Sequence, residues 1–228
     1  MDVRKRAILK TIIKEYVDTA KPVGSSLLVK KYHFELSAAT IRNEMADLEK
    51  EGYLDHLYTS SGRIPTDKGY RYFVDELMEK RVLSSKERAR LVKLLDLEAN
   101  QIFKQTARIL ANLAHNLAIM NLEESFWRAG LDNLFSQPEF RDSEEILCIS
   151  KVLDKLDSIL DSRFRVPWKT IKIFIGKENP LQELENCSII IAGLKDGKLA
   201  ILGPKRMEYA RNRSLLDFTS KLLNKLFT

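Results

Sequence analysis

Apolar residues recur at helical spacing over the first twenty positions. Ile8, Leu9, Ile12, Ile13, Tyr16, Val17 and Ala20 fall on one stripe, which predicts a helix over 3–20 with one buried face. Lys21-Pro22-Val23-Gly24 breaks the period. Ser25 then offers a cap for a short second helix through Tyr32, with Leu28, Val29 and Tyr32 turned inward. Ser37 caps a third helix. In it Ala38, Ile41, Met45 and Leu48 share one face, Ala39, Asn43 and Ala46 lie opposite, and Thr40 and Arg42 sit on the flanks. Gly52 is placed to end this helix. Leu54 to Tyr58 and Arg63 to Pro65 read as a short hairpin turning at Thr59-Ser60-Ser61-Gly62, with Pro65 confining the returning strand to an edge. Leu54, Leu57 and Ile64 would hold it on the helices and leave Arg63 near the tip. A further helix, capped by Thr66 and carrying Tyr70, Phe73, Val74, Leu77 and Met78, closes a first domain over 1–80.

Ser84-Ser85-Lys86-Glu87 is a capping box, after which Leu91, Leu94, Leu95, Ile102, Phe103, Ile109, Leu110, Leu113 and Leu117 keep a helical pattern. The expectation for 81–120 is one long helix, or a pair broken near Asp96 to Asn100, that links the domains and either pairs with a second copy or packs on its own C-terminal domain. The region 121–228 starts with helical pattern at Phe126, Leu131, Leu134 and Phe135. After a break at Gln137-Pro138-Glu139-Phe140 the pattern resumes from Ile146 to Leu160. Strands follow at 170–175, 188–194 and 199–202, the last two joined by the Lys195-Asp196-Gly197-Lys198 turn. A final helix carries Leu215, Leu216, Phe218, Leu222, Leu223 and Leu226. The predicted class is α+β, predominantly helical: a winged helix-turn-helix, a linker helix, and an antiparallel sheet with helices on it.

Composition narrows the function less than the pattern does. The chain has 228 residues, 44% of them hydrophobic, enough for two small cores. It has no apolar run long enough to cross a membrane and no signal-peptide core, so the expected location is the cytoplasm. Cys148 and Cys187 form no CxxC pair, and His33, His56 and His115 are isolated, so no disulfide framework, metal or cofactor is expected. The net charge is +6, but residues 1–80 hold 14 Lys and Arg against 13 Asp and Glu. An argument for nucleic acid therefore rests on placement, not on bulk charge.

The placement favours DNA. The third helix could lay its backbone close to a groove floor at Ala39 while Thr40, Arg42 and Asn43 reach base edges. The bland alternative for Arg42 is an ion pair with Asp47 or Glu49 along the helix. Ser25 and Ser37 are caps first, with any phosphate contact additional; Ser26 stands beside them. Arg63, next to Gly62 at the hairpin tip, has little evident structural duty and suits a phosphate or minor groove, while Lys68 and Arg71 divide evenly between phosphate neighbours and plain surface. Gly203-Pro204-Lys205-Arg206-Met207 could bind an anion, although a tight turn is the simpler reading. No nucleophile with an activating base can be picked out, so an enzyme is disfavoured. The competing readings are a winged regulator whose C-terminal half senses a small molecule, and a winged adaptor that binds protein.

Three segments carry a resemblance: Pro22-Val23-Gly24-Ser25, Ser37-Ala38-Ala39-Thr40-Ile41-Arg42-Asn43-Glu44-Met45, and Ser60-Ser61-Gly62-Arg63-Ile64-Pro65-Thr66-Asp67-Lys68-Gly69-Tyr70-Arg71. Together with Pro138-Glu139-Phe140, Ile175-Gly176-Lys177-Glu178-Asn179 and the stretch from Ile201 to Tyr209, they resemble the HrcA family of heat-inducible transcription repressors. The resemblance implies a dimeric repressor on an inverted-repeat operator of double-stranded DNA upstream of chaperone genes. It also implies a GAF-like regulatory domain and a chaperonin modulator. Family members carry a long stretch between the segment ending near Met120 and the Phe126 to Phe140 segment, including an inserted dimerising element. Here the two segments nearly abut, so a reduced regulatory domain is expected. At Ser26 the family commonly has a basic residue.

Overall fold

The computed structural model describes residues 1–58, 61–122 and 125–226. They form two compact units, Met1–Glu79 and Lys80–Thr228.

The first unit opens with helix α1, Val3–Thr19, whose N-cap Asp2 accepts from the Lys5 amide at 2.8 Å. That hydrogen bond holds the Asp2 carboxyl below its ordinary pKa. The helix ends at Ala20 in the left-handed conformation. Helices α2, Ser25–Tyr32, and α3, Ala38–Lys50, pack on it. The predicted stripes become one core of Ile8, Leu9, Ile12, Ile13, Leu28, Ile41, Met45 and Leu48. Beside this core Glu15 is buried and accepts from Lys31 Nζ at 2.6 Å and from the Tyr32 hydroxyl. The Lys31 bond, then the Tyr32 bond, pull its carboxyl below the usual range.

Gly52, at φ 79°, ends α3 in a Schellman arrangement, with Tyr53 N–H donating to Leu48 O and Gly52 N–H to Glu49 O, both at 2.9 Å. Strands β1, Leu54–Asp55, and β2, Ile64–Pro65, pair antiparallel and are shorter than predicted. Thr59 and Ser60, expected in the turn, lie outside the described residues. A third partner went unpredicted: Val23, between α1 and α2, exchanges both backbone hydrogen bonds with Arg63, at 2.9 and 2.8 Å. Thr66 caps helix α4, Asp67–Tyr72, which continues as a π-helical turn over Phe73–Leu77. Tyr70 and Phe73 are its buried side chains.

In the second unit the segment 81–120 is not one long helix but the pair broken near Asp96 to Asn100, and it packs on its own C-terminal domain. Helix α5, Ser85–Val92, and a 3-10 turn, Lys93–Asp96, are separated from α6, Ala99–Ala114, by the extended Leu97. The chain then enters strand β3, Leu117–Leu122, and strand β4, Ser125–Ala129, so Leu117 and Phe126 lie in strands where helix was expected. The reason is burial: Leu117, Ala118, Ile119 and Met120 are fully buried although successive strand residues face opposite ways, and such an unbroken apolar run carries no period.

Helices α7, Leu131–Phe135, α8, Ser143–Leu153, and α9, Leu156–Arg163, follow, then strands β5, Ile171–Ile175, β6, Cys187–Gly193, and β7, Gly197–Pro204, and helix α10, Tyr209–Leu226. The three late strands and the hairpin between β6 and β7 match the sequence reading. The sheet runs β4-β3-β7-β6-β5, antiparallel throughout. One face, with Ile119, Ile189, Ile191 and Leu202, packs on Phe140, Ile149, Leu156, Leu160 and Phe164 from α8, α9 and their flanks. The other face meets α6 and α10: Trp127 of β4 lies 5.0 Å from Phe103, and Ser188 hydrogen-bonds the Tyr209 hydroxyl at 2.8 Å.

The separate motif fragments meet here. Arg206, after β7, donates to Gln137 Oε1 at 2.8 Å and pairs with both oxygens of Glu139. Its counter-charge is thus built in, and the segment is a turn, not an anion cradle. Asn179 donates to the carbonyls of Gly176, Leu184 and Cys187, fixing the connection between β5 and β6.

Candidate nucleic-acid interface

Apart from Lys50 at its end, the exposed residues of α3 gather on its first two turns. Ser37 Oγ accepts from the Thr40 amide at 3.0 Å and lies 2.9 Å from Thr40 Oγ1, so the cap orients the threonine as well as the backbone. Ala39, Arg42 and Asn43 are exposed, and Thr40 is half-buried. Arg42 and Asn43 have no hydrogen-bond or ion-pair partner among the described residues. The ion pairs that the bland reading assigned to Arg42 are absent there because the carboxylates are engaged elsewhere. Glu44 lies 3.3 Å from Arg4, and Asp47 3.6 Å from Lys5. Glu51 lies 2.7 Å from Lys5 and holds that ammonium above its ordinary pKa. The acidic second half of α3 is thereby turned toward the cations of α1, and its N-terminal turns are left polar and open.

Glu49 has a different duty, one the sequence reading missed. It accepts from His56 Nδ1, just after β1, and lies 2.7 Å from Arg63 Nε, just before β2. One carboxylate therefore clamps both strands of the hairpin to α3. This corrects the expectation for Arg63: the residue is not free at a tip but is bridged through its backbone to Val23, held by Glu49, and donates from Nη1 to Ser61 O at 3.3 Å. Gly62 likewise has a packing role, because a Cβ there would stand 2.6 Å from the Val23 carbonyl carbon.

Three other candidates are engaged within the unit or buried. Lys68 donates to Glu51 O at 2.7 Å and lies 4.5 Å from the Tyr53 ring centroid, which ties α4 to the end of α3. Arg71 pairs with Asp75 at 3.2 Å along its own helix. Ser25 is buried at the first position of α2, where Gly24 and not Ser25 is the N-cap. Ser26 is exposed. Leu57, expected to anchor the hairpin, is 64 % exposed. Lys21 was not singled out, yet it is exposed two residues before the Val23–Arg63 bridge, and its ammonium has no partner among the described residues. Its position beside the Pro22-Val23-Gly24 motif was the available signal. Glu49, Asp55 and His56 bring ligand atoms within 4.8 Å of one another, but Glu49 is already engaged by Arg63.

Among the described residues no helix is long and apolar enough to cross a membrane. Along the whole chain a crystal structure of a hypothetical protein superposes with a TM-score of 0.81, at 18% identity, covering 100% of this chain and 99% of the other. In sequence, the heat-inducible transcription repressor HrcA of Carboxydothermus hydrogenoformans is 29% identical over 337 residues, covering 99% of this chain and 98% of the relative. Because this chain has 228 residues, about a third of that aligned length has no counterpart in it. The protein of the same name from Natranaerobius thermophilus is 30% identical over 98% of this chain and 95% of its own. That from Cutibacterium acnes reaches 45% over 122 residues, 53% of this chain and 36% of its own. The family model described as the HrcA protein C terminal domain matches residues 69–212, and the chain belongs to the HrcA family.

Proposed function

We propose that this protein is a sequence-specific DNA-binding transcriptional repressor, a regulator and not an enzyme, acting in the cytoplasm on heat-shock chaperone operons. The observation that carries the reading is the pair Arg42 and Asn43, exposed and without a side-chain partner among the described residues, on the capped N-terminal turns of α3, while the acids behind them are engaged by Arg4, Lys5, His56 and Arg63. In this reading the first unit is a winged helix-turn-helix and α3 enters the major groove by its N-terminal turns. Ala39 lets the backbone approach, and Thr40, Arg42 and Asn43 read base edges. Ser26, Ser37 and Lys21 meet phosphates, and the hairpin is the wing. Gly62, Arg63 and Lys68 hold its shape, so their contribution to DNA binding is indirect, and Arg71 and Ser25 are peripheral. The second unit is the GAF-like regulatory domain of a homodimer, with a chaperonin as the modulator that the family resemblance implies.

The test is selection of bound duplexes from a random pool, followed by titration of the winner at two salt concentrations. An inverted repeat bound cooperatively, with affinity falling as salt rises, supports the dimeric repressor. No enrichment, or binding indifferent to salt, sinks the DNA reading in favour of a winged adaptor.

A further inference from the structure

Between the start of β5 and the last turns of α10 the second unit carries an open groove of about 660 Å³. Its walls are Trp168, Ile171, Phe218 and Leu222, with Lys169, Lys221 and Lys225 around them. Trp168 is 45 % exposed, unusual for the largest apolar side chain, and it is not loose: its indole N–H donates to Asn224 Oδ1 at 3.2 Å, across the groove on α10. Lys169 holds a left-handed backbone at φ 61°, a conformation that non-glycine residues rarely adopt. There its amide donates to Gly193 O at 3.1 Å and its ammonium lies 4.0 Å from the Trp168 ring centroid.

The charge around these walls is mainly positive. The chain from 162 to 177 contains Arg163, Arg165, Lys169, Lys172 and Lys177 and no acidic residue. The single carboxylate lining the groove, Asp217, is taken by Lys221 at 2.7 Å. Lys169 and Lys225 have no counter-ion among the described residues. Part of this positive charge suits the C-terminal end of α10, where cations offset the exposed carbonyls, but that does not explain a fixed, exposed indole or a lysine held left-handed over it. A concave apolar site of this volume, with a few convergent polar groups, has the character of a small-ligand pocket.

We propose that this groove binds a small amphipathic carboxylate, its apolar body against Trp168, Ile171, Phe218 and Leu222 and its carboxylate between Lys169 and Lys225. The acid matches the two ammonium groups that lack a counter-ion among the described residues, and the body covers the exposed ring. The site is independent of α3, so its occupancy can be measured on the full chain without DNA.

The probe is dodecanoate, kept below its micelle concentration, with dodecyltrimethylammonium as the cation of equal chain length. The chain has only two tryptophans, so emission from Trp168 is separable from that of Trp127. Dodecanoate should shift the emission to the blue and saturate below about 1 mM with one site per chain. The response should vanish in Trp168→Phe, and the Lys169→Gln and Lys225→Gln double variant should bind about tenfold more weakly. Both lysines are exposed, so that variant folds irrespective of the site. Equal binding of the cationic amphiphile, a response that survives Trp168→Phe, full affinity in the lysine variant, or no saturable signal would each overturn the proposal.

Discussion

Arg206, in the turn after β7, and Arg42, on the second turn of α3, both sit in motif segments, and their surroundings separate them. Arg206 is 12 % exposed, with Glu139 and Gln137 closed around its guanidinium. Arg42 is exposed, and the nearby acids of its helix are engaged by other cations. A motif cannot tell these cases apart. The location of the counter-charge can: an arginine whose carboxylate comes from its own fold maintains that fold, and one left open can take a charge from outside.

The contrast is sharpest in what each substitution should do. Arg206→Ala leaves Glu139 partly buried and unpaired, and should cost about 3 kcal/mol in the urea unfolding of the second unit. Arg42→Ala and Asn43→Ala should leave melting within about 0.5 kcal/mol of wild type, yet each should lower affinity for the selected duplex by about 1 to 3 kcal/mol. If Arg42→Ala melts early, or binds the duplex as well as wild type, the contrast collapses.

Glu49 lies between the two cases and makes a finer test. Removing a negative charge beside DNA should tighten binding if charge alone mattered. Loss of the clamp should loosen the hairpin and weaken binding. We expect Glu49→Gln to weaken it by about 1 kcal/mol, with Arg63→Ala adding little on top, because the two residues act as one tie. Tighter binding in Glu49→Gln would show the clamp to be irrelevant.

The smallest expected effect at neutral pH concerns Glu15. Its folded carboxyl lies below the ordinary pKa, so the stability it contributes is present above the usual carboxylate range. That stability is lost as pH falls through the lowered folded value. The urea midpoint of the first unit should therefore drop on acidification toward about pH 3, and Glu15→Gln should make that drop shallower. An identical acid slope in the variant would remove Glu15 from the account.

Periodicity alone was enough for α1 and α3, and apolar runs with a turn between them for the pair β6 and β7. It failed at Leu117 to Met120, buried on both faces, where strand and buried helix look alike. The candidate site divides in the same way. Arg42, Asn43, Ala39 and the Ser37 cap follow from local helical geometry, which a sequence displays directly. The roles of Arg63, Gly62 and Lys68 depend on Glu49, the Val23 backbone and the Glu51 carbonyl, partners 14 to 40 positions away that only the closed fold brings near. Glu49 itself looked like one more surface acid, because nothing local marks a residue whose two contacts come from a hairpin not yet folded back.

Strands β3 and β4 pair down to Leu122 opposite Ser125, at the place where the family resemblance led to the expectation of a long additional stretch. The two chain ends that such a stretch would need are therefore already neighbours. A segment of any length could enter or leave at this gate for a loop-closure cost that grows only slowly with length. By the same token, Leu122 and Ser125 are the natural splice point for restoring a relative's missing segment, or for grafting a reporter domain in its place.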